Sequence, residues 1–110
     1  MGYIDQIKPI INEEESYALI SYLRSGAWLT EHDKTIEFEK QICSFIDCAY
    51  CSVVPSGTTG LVLSLLACGI KPGMRVAVPA LTMIATANAV ITVGAKPIFI
   101  DVDESNCLDI

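Results

Sequence analysis

A chain of 110 residues can hold one modest domain with a real core. Its hydrophobic content of 52% against 18% charged residues is high for a small domain with a large surface-to-volume ratio, so it either hides apolar surface against a partner or is a piece of something larger. The net charge of −6 lies mostly in the first fifty residues, where nine acids face four bases, and no basic patch points to nucleic acid or to an anionic membrane.

Met1 to Ile11 reads as an extended arm with no basic region ahead of an apolar core, so no secretory leader is expected. Asn12 offers a helix N-cap, with Glu15 as its capping-box partner. Glu13 to Arg24 reads as a helix, acidic in its first turn and basic in its last, with Gly26 placed to end it. Trp28, the only tryptophan, follows in a loop with Leu29 and Thr30. A core or interface role is favoured for it over ligand contact. His32, between Glu31 and Asp33, reads as a solvated loop residue.

Thr35 to Ile46 is expected to be a second helix, with Phe38, Ile42, Phe45 and Ile46 on one face. Cys43, Cys48 and Cys51 have the C-x4-C-x2-C spacing of plant-type iron–sulfur proteins. Cys43 lies inside an amphipathic helical pattern, however, and small buried hydrophobes account for these cysteines. An odd count of five, with no secretory context, makes reduced cytosolic thiols the default.

From residue 51 the character changes. Cys51 to Val54 is expected as a buried strand. Thr58 to Cys68 reads as a helix apolar nearly all round, hence buried on both sides. Arg75 to Val78 reads as a second strand, Leu81 to Val93 as a helix opened near Thr82, and Pro97 to Ile100 as a third strand. Val76 to Ala95 carries no charge and could span a membrane by length. Pro79 instead divides it into a strand and a helix. Strand, helix, strand, helix, strand gives an α/β fold: a doubly wound, mainly parallel sheet with both faces covered. Ligands of such sheets bind beyond the carboxyl ends of the strands. Ser56 to Thr59, Pro79 to Met83 and Asp101 to Asp103 converge on that edge.

Ser56-Gly57-Thr58-Thr59-Gly60 follows the first strand and opens a helix. Unpaired N–H groups and the helix dipole make such a turn receptive to phosphate. Ser56, Thr58 and Thr59 add hydroxyls, and Gly57 lets the backbone come close. Plain N-capping by Ser56 with no ligand is the competing reading. Asp101-Val102-Asp103 matches the D-x-D of metal-dependent glycosyltransferases, although solvated acids at a strand end explain it as well. Neither GxGxxG nor a Walker pattern is present.

These motifs resemble the opening of the DegT/DnrJ/EryC1/StrS family of sugar aminotransferases. The marks are Ser-Gly-Thr-x-x-Leu at 56 to 61, Gly-Ile-Lys-Pro-Gly at 69 to 73, Val-Pro-Ala-Leu-Thr-Met at 78 to 83 with the run to Ala89, and Gly-Ala-Lys-Pro-Ile-Phe-Ile-Asp-Val-Asp at 94 to 103. Ser25 to Thr30 and Glu37-Phe38-Glu39 fit in the same order, and the perosamine-synthase-like branch is the nearest.

The resemblance implies the N-terminal part of a fold-type I pyridoxal-phosphate-dependent transferase large domain. Residues 1–50 would form an arm and two helices, and 51–110 the incomplete start of the cofactor-binding domain. It implies pyridoxal 5'-phosphate, glutamate and a nucleotide-linked keto sugar, a cytoplasmic homodimer, and a place in polysaccharide biosynthesis. Gly57, Thr58 and Thr59 would hold the cofactor phosphate, with Ser56 shaping the turn. Met83 stands where many members place an aromatic ring over the pyridine, and Trp28, Leu29 and Thr30 would border the sugar-nucleotide pocket. Gly60 stands where alanine is usual and His32 where glycine is common. The Schiff-base lysine and the acid beside the pyridine nitrogen lie in the family beyond residue 110, so this chain is expected to be a truncated, split or partial product that is not competent alone. An inactive interaction module and a glycosyltransferase fragment built on Asp101 and Asp103 are the rival readings.

Overall fold

The computed structural model describes residues 7–29 and 33–109. They fall into two compact units, divided between Ser52 and Val53.

The first unit holds two helices, α1 (Glu13–Arg24) and α2 (Asp33–Ile46). The start of α1 is fixed as the capping pattern requires: the Asn12 N–H donates to Glu15 Oε2 at 2.7 Å. Its end is fixed by Gly26 in the left-handed region, φ +72°. Helix α2 begins two residues before the expected Thr35.

The second unit contains α3 (Gly57–Ala67), β1 (Arg75–Pro79), α4 (Ile84–Thr92) and β2 (Lys96–Ile100). The two strands are parallel, with Arg75 opposite Lys96 and Pro79 opposite Ile100. Helix α4 is the crossover between them, as a parallel pair demands. Val78 and Val90, each 2% exposed, form the core with Val93 and Ala95. Val62 and Leu65 of α3 pack against this cluster, with Ile70 and Val76. Gly94 turns the chain between α4 and β2 at φ +76°, and its carbonyl accepts the Gly73 N–H at 2.9 Å. After β2, Val102 bridges Leu108 in antiparallel fashion.

Several expectations need correction. Residues 51–54 form no strand, and the described sheet has two strands rather than three. The β-branched run has the propensity, but a strand exists only by pairing, and the described sheet pairs β1 with β2 alone. Helix α3 is not buried on both sides: Leu61, Leu63 and Leu66 are exposed, because only its Val62–Leu65 side meets the core. Nor are both faces of the sheet covered: Ala77, on the face opposite Val76 and Val78, is exposed. Helix α4 starts three residues later than expected. Met83, not Thr82, is its N-cap, because the Thr82 hydroxyl bonds the Thr86 hydroxyl at 3.0 Å instead of capping. The face of α2 marked by Phe38, Phe45 and Ile46 is likewise exposed. No described helix is long and apolar enough to cross a membrane; the charge-free stretch from Val76 to Ala95 is divided at Pro79 into β1 and α4.

Candidate functional site

Helix α3 leads through the 68–74 turn into the amino end of β1, so its own start lies toward the carboxyl ends of the parallel strands. The start of α4 and the 101–109 segment reach the same edge, each directly following a strand. Ligand chemistry in parallel α/β units gathers at this edge.

At the start of α3 the capping and phosphate-cradle readings prove to be different parts of one turn. Ser56 is the N-cap in extended conformation. Its Oγ accepts the Thr59 N–H at 3.2 Å and sits 3.0 Å from Thr59 Oγ1. Its carbonyl accepts the Gly60 N–H at 3.0 Å. The cap therefore occupies the main-chain donor of Thr59. The N–H groups of Gly57 and Thr58 find no acceptor among the described residues. These are the orphan donors a helix start leaves for water or an anion.

Gly57 explains the space beside them. A Cβ built there meets nothing within 4 Å, and its φ is not left-handed, so the protein's own packing does not require glycine. At Gly60, where alanine is usual in the resembled family, a Cβ would meet only Val54 Cγ2 at 3.5 Å, an ordinary contact. Residue 57 thus has the openness an approaching anion needs, and the donor set of two N–H groups with nearby hydroxyls suits a phosphate monoester.

Met83 is 76% exposed at the head of α4, its carbonyl holding the Thr86 N–H at 3.0 Å. The Trp28 loop lies in the first unit. The Tyr22 hydroxyl donates to the Trp28 carbonyl at 2.5 Å, and the Ser25 hydroxyl holds the Ala27 N–H at 3.3 Å. Burial, then the charge of Asp33, pushes the Tyr22 phenol up from its ordinary value. Trp28 is 77% exposed and Leu29 is 70% exposed. Thr30 and His32 lie outside the described residues.

Asp101 and Asp103 each use one carboxylate oxygen to accept local hydrogen bonds. Asp101 Oδ1 accepts the Val102 N–H at 2.8 Å. Asp103 Oδ1 accepts from Ser105 Oγ at 2.6 Å, the Ser105 N–H at 2.9 Å and the Cys107 N–H at 3.1 Å. Those donors, the Ser105 hydroxyl first, hold its carboxyl below the usual range. Among the described residues no group of three or more His, Cys, Asp or Glu side chains could hold a metal ion.

Together these features define a parallel α/β piece with an anion-receptive helix start at its carboxyl edge. The chain belongs to the DegT/DnrJ/EryC1/StrS aminotransferase family, whose profile matches residues 9–110. It is 36% identical over 106 residues to UDP-4-amino-4-deoxy-L-arabinose--oxoglutarate aminotransferase of Shewanella sediminis, covering 96% of this chain and 27% of that one. It is similar in structure to Spr1654 of Streptococcus pneumoniae in its PLP form, with TM-score 0.85 and 32% identity over 92% of this chain and 26% of that one. A third likeness is to NtdA of Bacillus subtilis with bound cofactor PMP, with TM-score 0.77 and 33% identity over 86% of this chain and 22% of that one. The chain thus spans about a quarter of the length of these relatives, and its α/β architecture is a fragment of their pyridoxal-phosphate-dependent fold. The cofactor of the family is pyridoxal phosphate.

Proposed function

We propose that these residues are the cofactor-phosphate-binding part of an aminotransferase that moves an amino group from glutamate to a keto sugar carried on a nucleotide. The protein works as a cytoplasmic homodimer in polysaccharide biosynthesis, and residues 51–110 begin its cofactor domain. One observation carries the reading: the Ser56 cap leaves the Gly57 and Thr58 N–H groups without an acceptor among the described residues, next to open space.

In this reading Gly57 and Thr58 donate main-chain N–H groups to the phosphate, and the Thr58 and Thr59 hydroxyls complete its shell. Ser56 fixes the turn. Met83 packs its polarizable thioether against the pyridine ring. Trp28 and Leu29, with Thr30, border the sugar-nucleotide pocket. When bound, the cofactor supplies the electron sink that transamination needs. The 110 residues alone do not turn over: Lys71 and Lys96 lie at the amino ends of the strands, away from the turn. The exposed apolar side chains support the same reading, because a larger protein and a dimer mate would cover them.

The test is a titration of the chain with pyridoxal phosphate, inorganic phosphate and pyridoxal, followed through amide shifts. The two phosphate ligands should move the Gly57 and Thr58 resonances and pyridoxal should not. Shifts centred elsewhere, or none with any ligand, would sink the reading. The exposed apolar surface also favours an interaction module, which predicts concentration-dependent oligomers and no response to pyridoxal phosphate.

A further inference from the structure

Three cysteines at the end of α2 have no part in the proposed aminotransferase role. Asp47, at φ +52°, ends the helix in the left-handed conformation. The Cys48 N–H donates to the Cys43 carbonyl at 3.0 Å. This is the six-to-one bond of a Schellman cap, with Cys43 at C3 and Cys48 at C″, the two positions whose side chains meet in that motif. Here they are two thiols. The Cys48 thiol is among the neighbouring groups that push the Cys43 thiol up. Cys48 Sγ also donates to the Tyr50 carbonyl at 3.3 Å, which fixes where that sulfur sits. A main-chain hydrogen bond between the two residues brings their Cα atoms toward the roughly 4.4–6.8 Å separation that a disulfide spans. All three thiols are free and half-buried. Cys43 and Cys51 line a hollow of about 310 Å³ with Glu39, Lys40 and Tyr50.

We propose that Cys43 and Cys48 are a redox modification site, forming a reversible disulfide when the chain meets hydrogen peroxide. The Cys48 sulfur attacks the peroxide oxygen, giving a sulfenic acid and releasing one water. The Cys43 sulfur then attacks that sulfenic sulfur, forming the S–S bond and releasing a second water. Two thiols lose two hydrogens and two electrons, and the peroxide is reduced to two waters. Burial first, then the neighbouring thiols, pushes the Cys43 thiol up, so it stays protonated and takes the resolving role. Dithiothreitol reverses the step by thiol–disulfide exchange.

The test treats the folded chain, and its Cys51→Ser variant, with stoichiometric hydrogen peroxide. Cleavage before Asp47 separates Cys43 from Cys48 unless a bridge joins the two peptides. The expected result in both proteins is a bridged peptide, two hydrogen masses lighter than its reduced parts and released by dithiothreitol. It should form about tenfold faster in buffer than in denaturant, because the cap pre-positions the sulfurs. Cys48→Ala should leave Cys43 reduced and unbridged. The proposal is overturned if the bridge is lost in Cys51→Ser, if Cys68 or Cys107 is oxidised first, or if folding gives no rate advantage.

Discussion

Replacing Gly57 by alanine separates the helix cap from the phosphate cradle. The new Cβ meets no protein atom within 4 Å, and the backbone there lies outside the left-handed region. Folding should therefore tolerate it, with a gain of about 0.4–1 kcal/mol from a less flexible unfolded chain. The methyl group would instead occupy space through which a phosphate oxygen reaches the Gly57 N–H. Losing one hydrogen bond to a charged group costs about 1.5–3 kcal/mol, which is roughly a ten- to hundredfold weaker dissociation constant. Urea unfolding and calorimetric titration with pyridoxal phosphate measure the two effects on one sample. Unchanged affinity in a variant as stable as its parent would refute the cradle. A loss of stability would refute the claim that the space at residue 57 is open.

Ser56→Ala removes the acceptor of the Thr59 N–H and should cost about 1 kcal/mol in urea unfolding, while weakening pyridoxal phosphate less than Gly57→Ala does. Gly94→Ala forces a side chain to φ +76° and brings its Cβ to 3.0, 3.1 and 3.3 Å from Pro72 atoms. The left-handed penalty of about 1–2 kcal/mol and an overpacking cost of about 1–3 kcal/mol should both appear in its unfolding midpoint. Gly60→Ala, in helix α3 with one ordinary contact, should instead stabilise by about 0.5–1 kcal/mol. Asp103 gives a pH test: its carboxyl is held below the usual range, so its support of the 103–107 turn is complete above that range and lost as pH falls through the lowered value. The Ser105 and Cys107 amide resonances should titrate together there, and the transition should vanish in Asp103→Asn.

Much of this was legible where the signal is local. Gly69, Pro72-Gly73, Pro79 and Gly94 punctuate the second unit, and the elements between them fall close to where the hydrophobic pattern puts them. The Asn12–Glu15 capping box was equally readable. What escaped depends on distant partners or on how one hydroxyl is used. The 51–54 run carries strand propensity, but pairing is a non-local property. The uniform apolarity of α3 says that it seeks burial without saying that Val62 and Leu65 find it. Thr82 looks like a cap until its hydroxyl turns to Thr86. At the candidate site, both capping and anion binding could be read from Ser56 to Gly60, yet which N–H the cap would use could not. The Schellman end of α2 was invisible because Asp47, rather than glycine, adopts the left-handed conformation there. Aspartate is among the few residues enriched in that region.

The core of the second unit is built from small side chains, and this bears on where its larger ones act. Helix α4 buries Ala87, Ala89 and Val90, and the cluster beneath it is otherwise Val78, Val93 and Ala95. None of these buried side chains is aromatic or a long aliphatic, while Leu65 and Ile70 pack against the cluster from partly buried positions. The big apolar groups of the chain, Trp28, Met83, Phe45, Tyr50 and Phe99 among them, remain exposed. Exposure alone does not separate those meant for a ligand from those meant for another protein surface. Backbone anchoring separates them better. Trp28 is held through its carbonyl by the Tyr22 hydroxyl, and Met83 through its carbonyl by the Thr86 N–H at the head of a helix. A side chain whose main chain is fixed while its own surface is bare loses little backbone freedom when something binds to it. The leucines along α3, by contrast, present an exposed apolar helix face of the kind that packs against further protein.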